Sequence, residues 1–258
     1  MSHLKKAILK HGASLVAHYF CWMHKYAKHP EKYPMDVRYG KLRKFANKVS
    51  KTLGCEFIVE GQENIPTETC CFIANHLSMA DPLPVLYSLD KPTAFLSKTE
   101  IKKIPFVKSA ILSISGDFID HNDIKQTLKI MMRMQKDLSE KRFNWLIYPE
   151  GTRNLDPILK LIDFHPGTFR PAMKAGVPIV PVVEYGTFRL LRKDMKSKAT
   201  PIQIKYLKPL TPEEYSGLTS EEVAKIIQTR MQQAISFDLK IKDHQLMSNK
   251  KGYRHNAL

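Results

Sequence analysis

No stretch of this 258-residue chain is apolar enough for long enough to cross a bilayer as a helix, which takes about 20 residues. The best N-terminal run, Ala13 to Met23, is broken by His18. With the basic start before it, the run imitates a secretory signal, but the bulky Tyr19-Phe20-Cys21-Trp22-Met23 offers no small-residue cleavage site. Neither a membrane span nor a cleaved leader is expected. Cysteine is scarce: Cys21, Cys55, Cys70 and Cys71 show no Cys-x-x-Cys spacing, which excludes a redox pair or a zinc site of that type. Cys70 and Cys71 should point to opposite faces of one strand, and the four read as reduced, mostly buried thiols of a cytosolic protein. There is no Gly-rich nucleotide loop and no internal repeat, so no resident cofactor or metal is expected. Acidic residues are outnumbered, 25 against 41 Lys and Arg, which leaves a formal charge of +16. That excess favours an anionic partner: nucleic acid, an anionic bilayer, or a phosphorylated substrate with a CoA-like donor.

What the chain does have is chemistry at the ends of two strand-like runs. Asn75-His76-Leu77-Ser78-Met79-Ala80-Asp81 follows the apolar Cys70-Cys71-Phe72-Ile73-Ala74, where a strand should end. An imidazole takes a proton near neutral pH, and a carboxylate beside it fixes its tautomer and stabilises the imidazolium. Residues five apart lie on different sides of an α-helix, so a turn must bring His76 and Asp81 together. No Ser or Cys follows at a nucleophile's spacing, which leaves a substrate hydroxyl as the group to be activated. On the residues alone a second reading also stands, because Asp81 before Pro82 and the apolar Leu83, Val85, Leu86 and Leu89 is a good helix N-cap.

The second run, Phe143 to Tyr148, opens onto Pro149-Glu150-Gly151-Thr152-Arg153. Gly151 permits a positive φ, Thr152 offers a hydroxyl and a backbone N–H, and Arg153 carries a fork suited to phosphate oxygens. Such a turn can hold an anion. It also reads as an ordinary strand exit with a surface Glu150–Arg153 pair.

The Asn-His-x4-Asp block at Asn75, His76 and Asp81 and the Pro-Glu-Gly-Thr-Arg block at Pro149 to Arg153, in this order, resemble the glycerolipid acyltransferase family that includes the 1-acyl-glycerol-3-phosphate acyltransferases. The valine-proline strand Val177 to Val182 and the segment Phe95 to Ile101 with Ile104-Pro105 are similar as well, so the resemblance covers roughly residues 55 to 210. Two positions depart from the family pattern: His121 stands where an arginine is usual after Gly116-Asp117-Phe118-Ile119-Asp120, and His165 replaces a lysine in Phe164-His165-Pro166-Gly167. Phosphate contacts at those two places are not carried over.

The resemblance implies transfer of a long-chain acyl group from an acyl thioester, acyl-CoA or acyl carrier protein as co-substrate, to the sn-2 hydroxyl of lysophosphatidic acid, making phosphatidic acid. His76 would be the general base and Asp81 its support. Glu150, Gly151, Thr152 and Arg153 would hold the acceptor's glycerol phosphate, with Glu150 fixing the turn or a substrate hydroxyl. Lys98 is a candidate cation for the oxyanion or a donor phosphate, or a solvated surface lysine. Glycerol 3-phosphate or another lysolipid would suit the same dyad. The alternative of another class is a non-catalytic basic module for membranes or nucleic acid, but no interleaved aromatic and basic sheet pattern supports nucleic-acid binding.

The rest of the chain alternates strands and helices, an α/β pattern with a mixed, mostly parallel sheet flanked by helices. Strands are expected near 55–60, 69–75, 93–97, 111–119, 143–148, 178–184 and 201–207, and helices after Asp81 and around 123–140, 168–175 and 219–240. In the second of these helices Leu128, Met131, Met132 and Leu138 read as core. Residues 1–53 form a two-helix element of their own: Ile8, Leu9, Gly12, Leu15, Val16, Tyr19, Phe20 and Met23 recur at helical intervals, and a second helix sets Met35, Tyr39, Leu42, Ala46, Val49 and Leu53 opposite Arg38, Lys41, Lys44, Lys48 and Lys51. That element is expected to dock on the body and present a greasy, basic edge to an anionic membrane at the cytoplasmic face. Residues 54–242 form the acyltransferase domain, and 243–258 a loosely ordered polar tail.

Overall fold

The computed structural model describes residues 16–120, 122–154, 160–191 and 200–235. The expectations placed on Ile8 to Leu15, on His121 and on the tail from 243 lie outside them.

The described strands are β1 (Cys55–Glu60), β2 (Cys71–Ala74), β3 (Thr93–Lys98), β4 (Asp117–Ile119), β5 (Asn144–Ile147), β6 (Ile179–Tyr185) and β7 (Thr200–Tyr206). They form one sheet in the order β1-β7-β6-β2-β5-β3-β4. Every neighbouring pair is parallel except β6 with β7, so β7 and β1 run against the rest. In the middle, Phe72 of β2 is level with Leu146 of β5 on one side and Val180 of β6 on the other. β2, β5 and β6 are buried along their whole length, which is why they read as continuous apolar runs and do not alternate.

The helices are α1 (His24–Lys28), α2 (Met35–Thr52), α3 (Pro82–Ser88), α4 (Pro105–Ser113), α5 (Ile124–Ser139), α6 (Arg170–Ala175), α7 (Pro212–Tyr215) and α8 (Ser220–Ala234). Proline opens α3, α4 and α7, where its missing N–H costs nothing. Thr219 and Glu222 cap α8 reciprocally. The helices cover both sheet faces. On one, Ile73, Trp145, Ile147 and Val183 pack under Ile130, Met134 and Leu138 of α5 and Val223, Ile227 and Met231 of α8. On the other, Phe72, Ala74, Leu146 and Val182 pack under Val85 and Leu86 of α3 and Tyr39, Leu42, Phe45 and Ala46 of α2. Cys70 and Cys71 go one to each layer and are free thiols, while Cys21 is exposed.

Three expectations change. The strand foreseen at 111–119 is short, because Pro105 starts a helix that runs to Ser113 before the left-handed Ser115 (φ 59) turns the chain into β4. Gly116 is needed there, since a Cβ would come within 2.5 Å of the Phe95 carbonyl oxygen. On α5 two apolar stripes overlap, and the one that faces the sheet is Ile130, Met134 and Leu138. Leu128 and Met132, read as core, are 58% and 70% exposed. On α2, Arg38 leaves the basic face: it is buried, and its guanidinium donates to the Ser113 carbonyl at 2.6 Å and the Tyr33 carbonyl at 2.9 Å. Lys41, Lys44, Lys48 and Lys51 are exposed. Among the described residues no helix is long and apolar enough to cross a membrane.

Candidate active site

β2, β3, β4 and β5 are parallel, so the loops at their carboxyl ends share one edge of the sheet, the usual ligand side of such folds. His76 stands there, two residues past β2. The loop is rooted by Asn75, whose amide donates to the Glu184 carbonyl at 3.0 Å and accepts from the Glu184 N–H at 2.8 Å, tying it to β6.

Asp81 decides between the two readings of its segment. It precedes Pro82 at the start of α3, but its carboxylate caps nothing in that helix. It turns back instead. One oxygen, Oδ2, takes His76 Nδ1 at 2.6 Å and the N–H groups of Leu77 at 2.7 Å and Ser78 at 2.9 Å; the other, Oδ1, takes the Thr187 hydroxyl at 2.5 Å. Asp81 has no exposure at all. With the carboxylate accepting, Nδ1 carries the proton and Nε2 is the basic nitrogen. Thr187 follows Gly186, which holds φ 97 at the end of β6. Nothing in the sequence links it to Asp81, because 106 positions separate the partners.

The Pro-Glu-Gly-Thr-Arg turn meets this loop from β5. Tyr148 sets its ring 4.6 Å from the His76 imidazole at 30°. Glu150 is 2% exposed and faces inward. It accepts from the His76 N–H at 2.8 Å, the Ile162 N–H at 3.0 Å and the Asn154 amide at 3.2 Å. Burial pushes the Glu150 carboxyl up, and those donors, His76 first, pull against that. The Asn154 N–H donates to the His76 carbonyl at 2.6 Å. Both main-chain polar groups of His76 are thus clamped by one loop. Glu150 thus ties the β5 turn to the β2 loop. Asn154 was not foreseen, although its position directly after the motif was the available signal.

Gly151 makes the bend at φ 61. Thr152 and Arg153 are exposed beyond it, one residue from the Asn154 that touches His76. Lys98 ends β3 at the same edge, with β5 between it and β2, and is partly exposed. His165 is exposed, and its backbone N–H donates to the Pro149 carbonyl at 3.0 Å, which places it beside the same turn. No cluster of metal-ligating side chains occurs among the described residues.

The buried Asp81 carboxylate orients the imidazole, and among the described residues no Ser or Cys side chain is hydrogen-bonded to it, an arrangement suited to taking a proton from an external group. A family model described as Acyltransferase matches residues 56–184, half of the chain. The chain belongs to the acyltransferase family. A probable 1-acyl-sn-glycerol-3-phosphate acyltransferase of Mycoplasma pneumoniae is 26% identical over 77% of this acyltransferase and 78% of its own length. The 1-acyl-sn-glycerol-3-phosphate acyltransferase of Borreliella burgdorferi is 32% identical over 55% of the chain and 56% of its own length. The crystal structure of PlsC, the 1-acyl-sn-glycerophosphate acyltransferase of Thermotoga maritima, superposes with a TM-score of 0.65 at 26% identity, covering 89% of this chain and 88% of that one. The mixed sheet flanked by helices is the fold of that structure.

Proposed function

We propose that this acyltransferase moves a long-chain acyl group from an acyl thioester, CoA-linked or carrier-linked, to the sn-2 hydroxyl of 1-acyl-glycerol 3-phosphate, forming phosphatidic acid at the cytoplasmic face of a membrane to which it binds peripherally. The observation that carries the reading is the 2.6 Å contact between Asp81 and His76 Nδ1, which leaves Nε2 as the basic nitrogen, on a loop joined to the turn in which Thr152 and Arg153 are exposed. Nε2 takes the proton from the acceptor hydroxyl as its oxygen attacks the thioester carbonyl. Asp81 stabilises the imidazolium. The tetrahedral intermediate collapses with cleavage of the C–S bond, and the thiolate leaves; the imidazolium proton returns to it or to water. A thiolate is a far better leaving group than an alkoxide, so no separate strong acid is needed. Arg153, with Thr152 and Gly151, grips the glycerol phosphate, and Lys98 supplies a cation to the oxyanion or the donor phosphates.

The test gives purified protein lysophosphatidic acid or glycerol 3-phosphate, each with a long-chain thioester in anionic vesicles, while free thiol release is followed. Thiol release with lysophosphatidic acid and little with glycerol 3-phosphate is expected. The substitution His76→Ala should leave the fold intact and cut turnover by roughly 10²–10⁴. Near-normal turnover in that variant would remove the central assignment.

A further inference from the structure

The outer face of α5 is built unlike a solvated helix. Ile124, Leu128 and Met132 recur every four residues and are 72%, 58% and 70% exposed. Beside them runs a second exposed stripe, Lys125, Lys129 and Lys136. Between residues 124 and 136 this face carries no carboxylate: Asp137 is buried on the inner side, and Glu140, past the helix end, pairs with Lys136 at 3.8 Å. An apolar stripe bordered by lysines is the pattern of a helix lying in a headgroup layer.

The position of this stripe adds a second observation. Its first member, Ile124, opens α5 just after β4, at the carboxyl edge of the sheet. Met79 after β2, Ile104 after β3 and Ile162 after β5 are also large apolar side chains exposed at that edge, at 41%, 39% and 38%. Ile162 is held there by its N–H bond to Glu150. Exposed apolar side chains thus recur along the edge that carries His76, and the stripe on α5 starts from that edge. The N-terminal helices lie against the other sheet face.

We propose that the outer face of α5 is a second membrane footing, which seats Ile124, Leu128 and Met132 among the acyl chains of an anionic bilayer with Lys125, Lys129 and Lys136 at its headgroups. The footing rests on the reading of a lipid acceptor, since it delivers the edge that carries His76 to the surface that presents such a lipid. It stands apart from the N-terminal helices and from every residue assigned to the chemistry.

Two variants test it, I124Q/L128Q/M132Q and K125Q/K129Q, both altering exposed side chains only, with retained circular dichroism and melting as the check on folding. Sedimentation with phosphatidylglycerol-containing vesicles should fall about tenfold or more for the apolar variant. For the lysine variant it should fall about fivefold per lysine, with binding to pure phosphatidylcholine unchanged. Thiol release with a short-chain, water-soluble acceptor and no vesicles should match wild type, whereas a wild-type protein inactive in that assay would indict the catalytic reading and leave the footing to the sedimentation result. Undiminished vesicle binding in both variants overturns the footing. It is equally overturned if vesicle binding holds while the apolar variant turns a wild-type dimer into a monomer, because the stripe then covers a second copy. Loss confined to turnover with a carrier-protein donor would overturn it too, and assign the lysines to that acidic partner.

Discussion

Asp81 and Glu184 are both wholly buried and close enough to repel, yet they are treated differently by their surroundings. Asp81 has four donors; neither carboxyl oxygen of Glu184 has a partner among the described residues. Burial first, and the Asp81 charge second, hold the Glu184 carboxyl far above its ordinary range, so it keeps its proton beneath the dyad. The sign of the consequence follows. An unfolded chain releases that proton near 4.5, the native one much higher, so this group's contribution is complete below pH 4.5 and drains away as pH rises. Glu184→Gln, neutral at every pH, should therefore melt higher than wild type at pH 8 and lose that advantage at pH 4, as parallel thermal scans would reveal; a constant difference would mean Glu184 is ionised in the native state. Thr187→Val probes the other side. It strips a hydrogen bond from buried Asp81 and should cost about 1–3 kcal/mol in denaturant unfolding.

At the scale of the element, the β2 and β5 loops act as one clamp, and this separates two neighbours that look alike in the motif. Arg153 points out and Glu150 points in. Arg153→Ala should raise the Michaelis constant for the phosphorylated acceptor and leave that for the thioester alone, because only ground-state phosphate binding is lost. Glu150→Gln should instead lower turnover and the melting temperature together, since the amide keeps one acceptor oxygen and its NH₂ would be set against the N–H of either His76 or Ile162. If Glu150→Gln altered acceptor saturation alone, the clamp would not be its role. The dyad was legible in the sequence because its two members, five positions apart, close on each other within one loop. Thr187 and Glu184 were not, because the Asp81 that Thr187 bonds and Glu184 is repelled by lies more than 100 positions away, and no local spacing encodes that approach. The same limit explains α5: a sequence of period 3.6 with apolar residues at 124, 128, 130, 131, 132, 134 and 138 fits two inward faces, and only the position of the sheet selects Ile130, Met134 and Leu138. Buried strands were easy to place, since a run such as Ile179 to Val183 leaves no solvated face to mistake.

For the whole molecule, the net charge sets what the surface attracts. The chain carries a formal excess of +16, and among the described residues the interior is apolar on both sides of the sheet, so the described charges lie mostly at the surface. Such a field raises the local concentration of anything anionic, whether thioester donor, phosphorylated acceptor or bilayer, and it is screened by salt. Donor and acceptor are the same on any vesicle, so the bilayer's share can be isolated as the ratio of turnover on anionic to turnover on zwitterionic vesicles. That ratio should be well above one at low ionic strength and fall towards one near 1 M salt, where the screening length is about 3 Å. The residue roles are unaffected by this screening, because Asp81, which is wholly buried, meets His76 at 2.6 Å. Turnover on zwitterionic vesicles should therefore lose only the part that depends on holding an anionic substrate, visible as a rise in its Michaelis constant at constant maximal rate. A ratio that stays high in concentrated salt would mean that direct, unscreened contact with the anionic headgroup, and not the diffuse field of the basic surface, distinguishes the two bilayers.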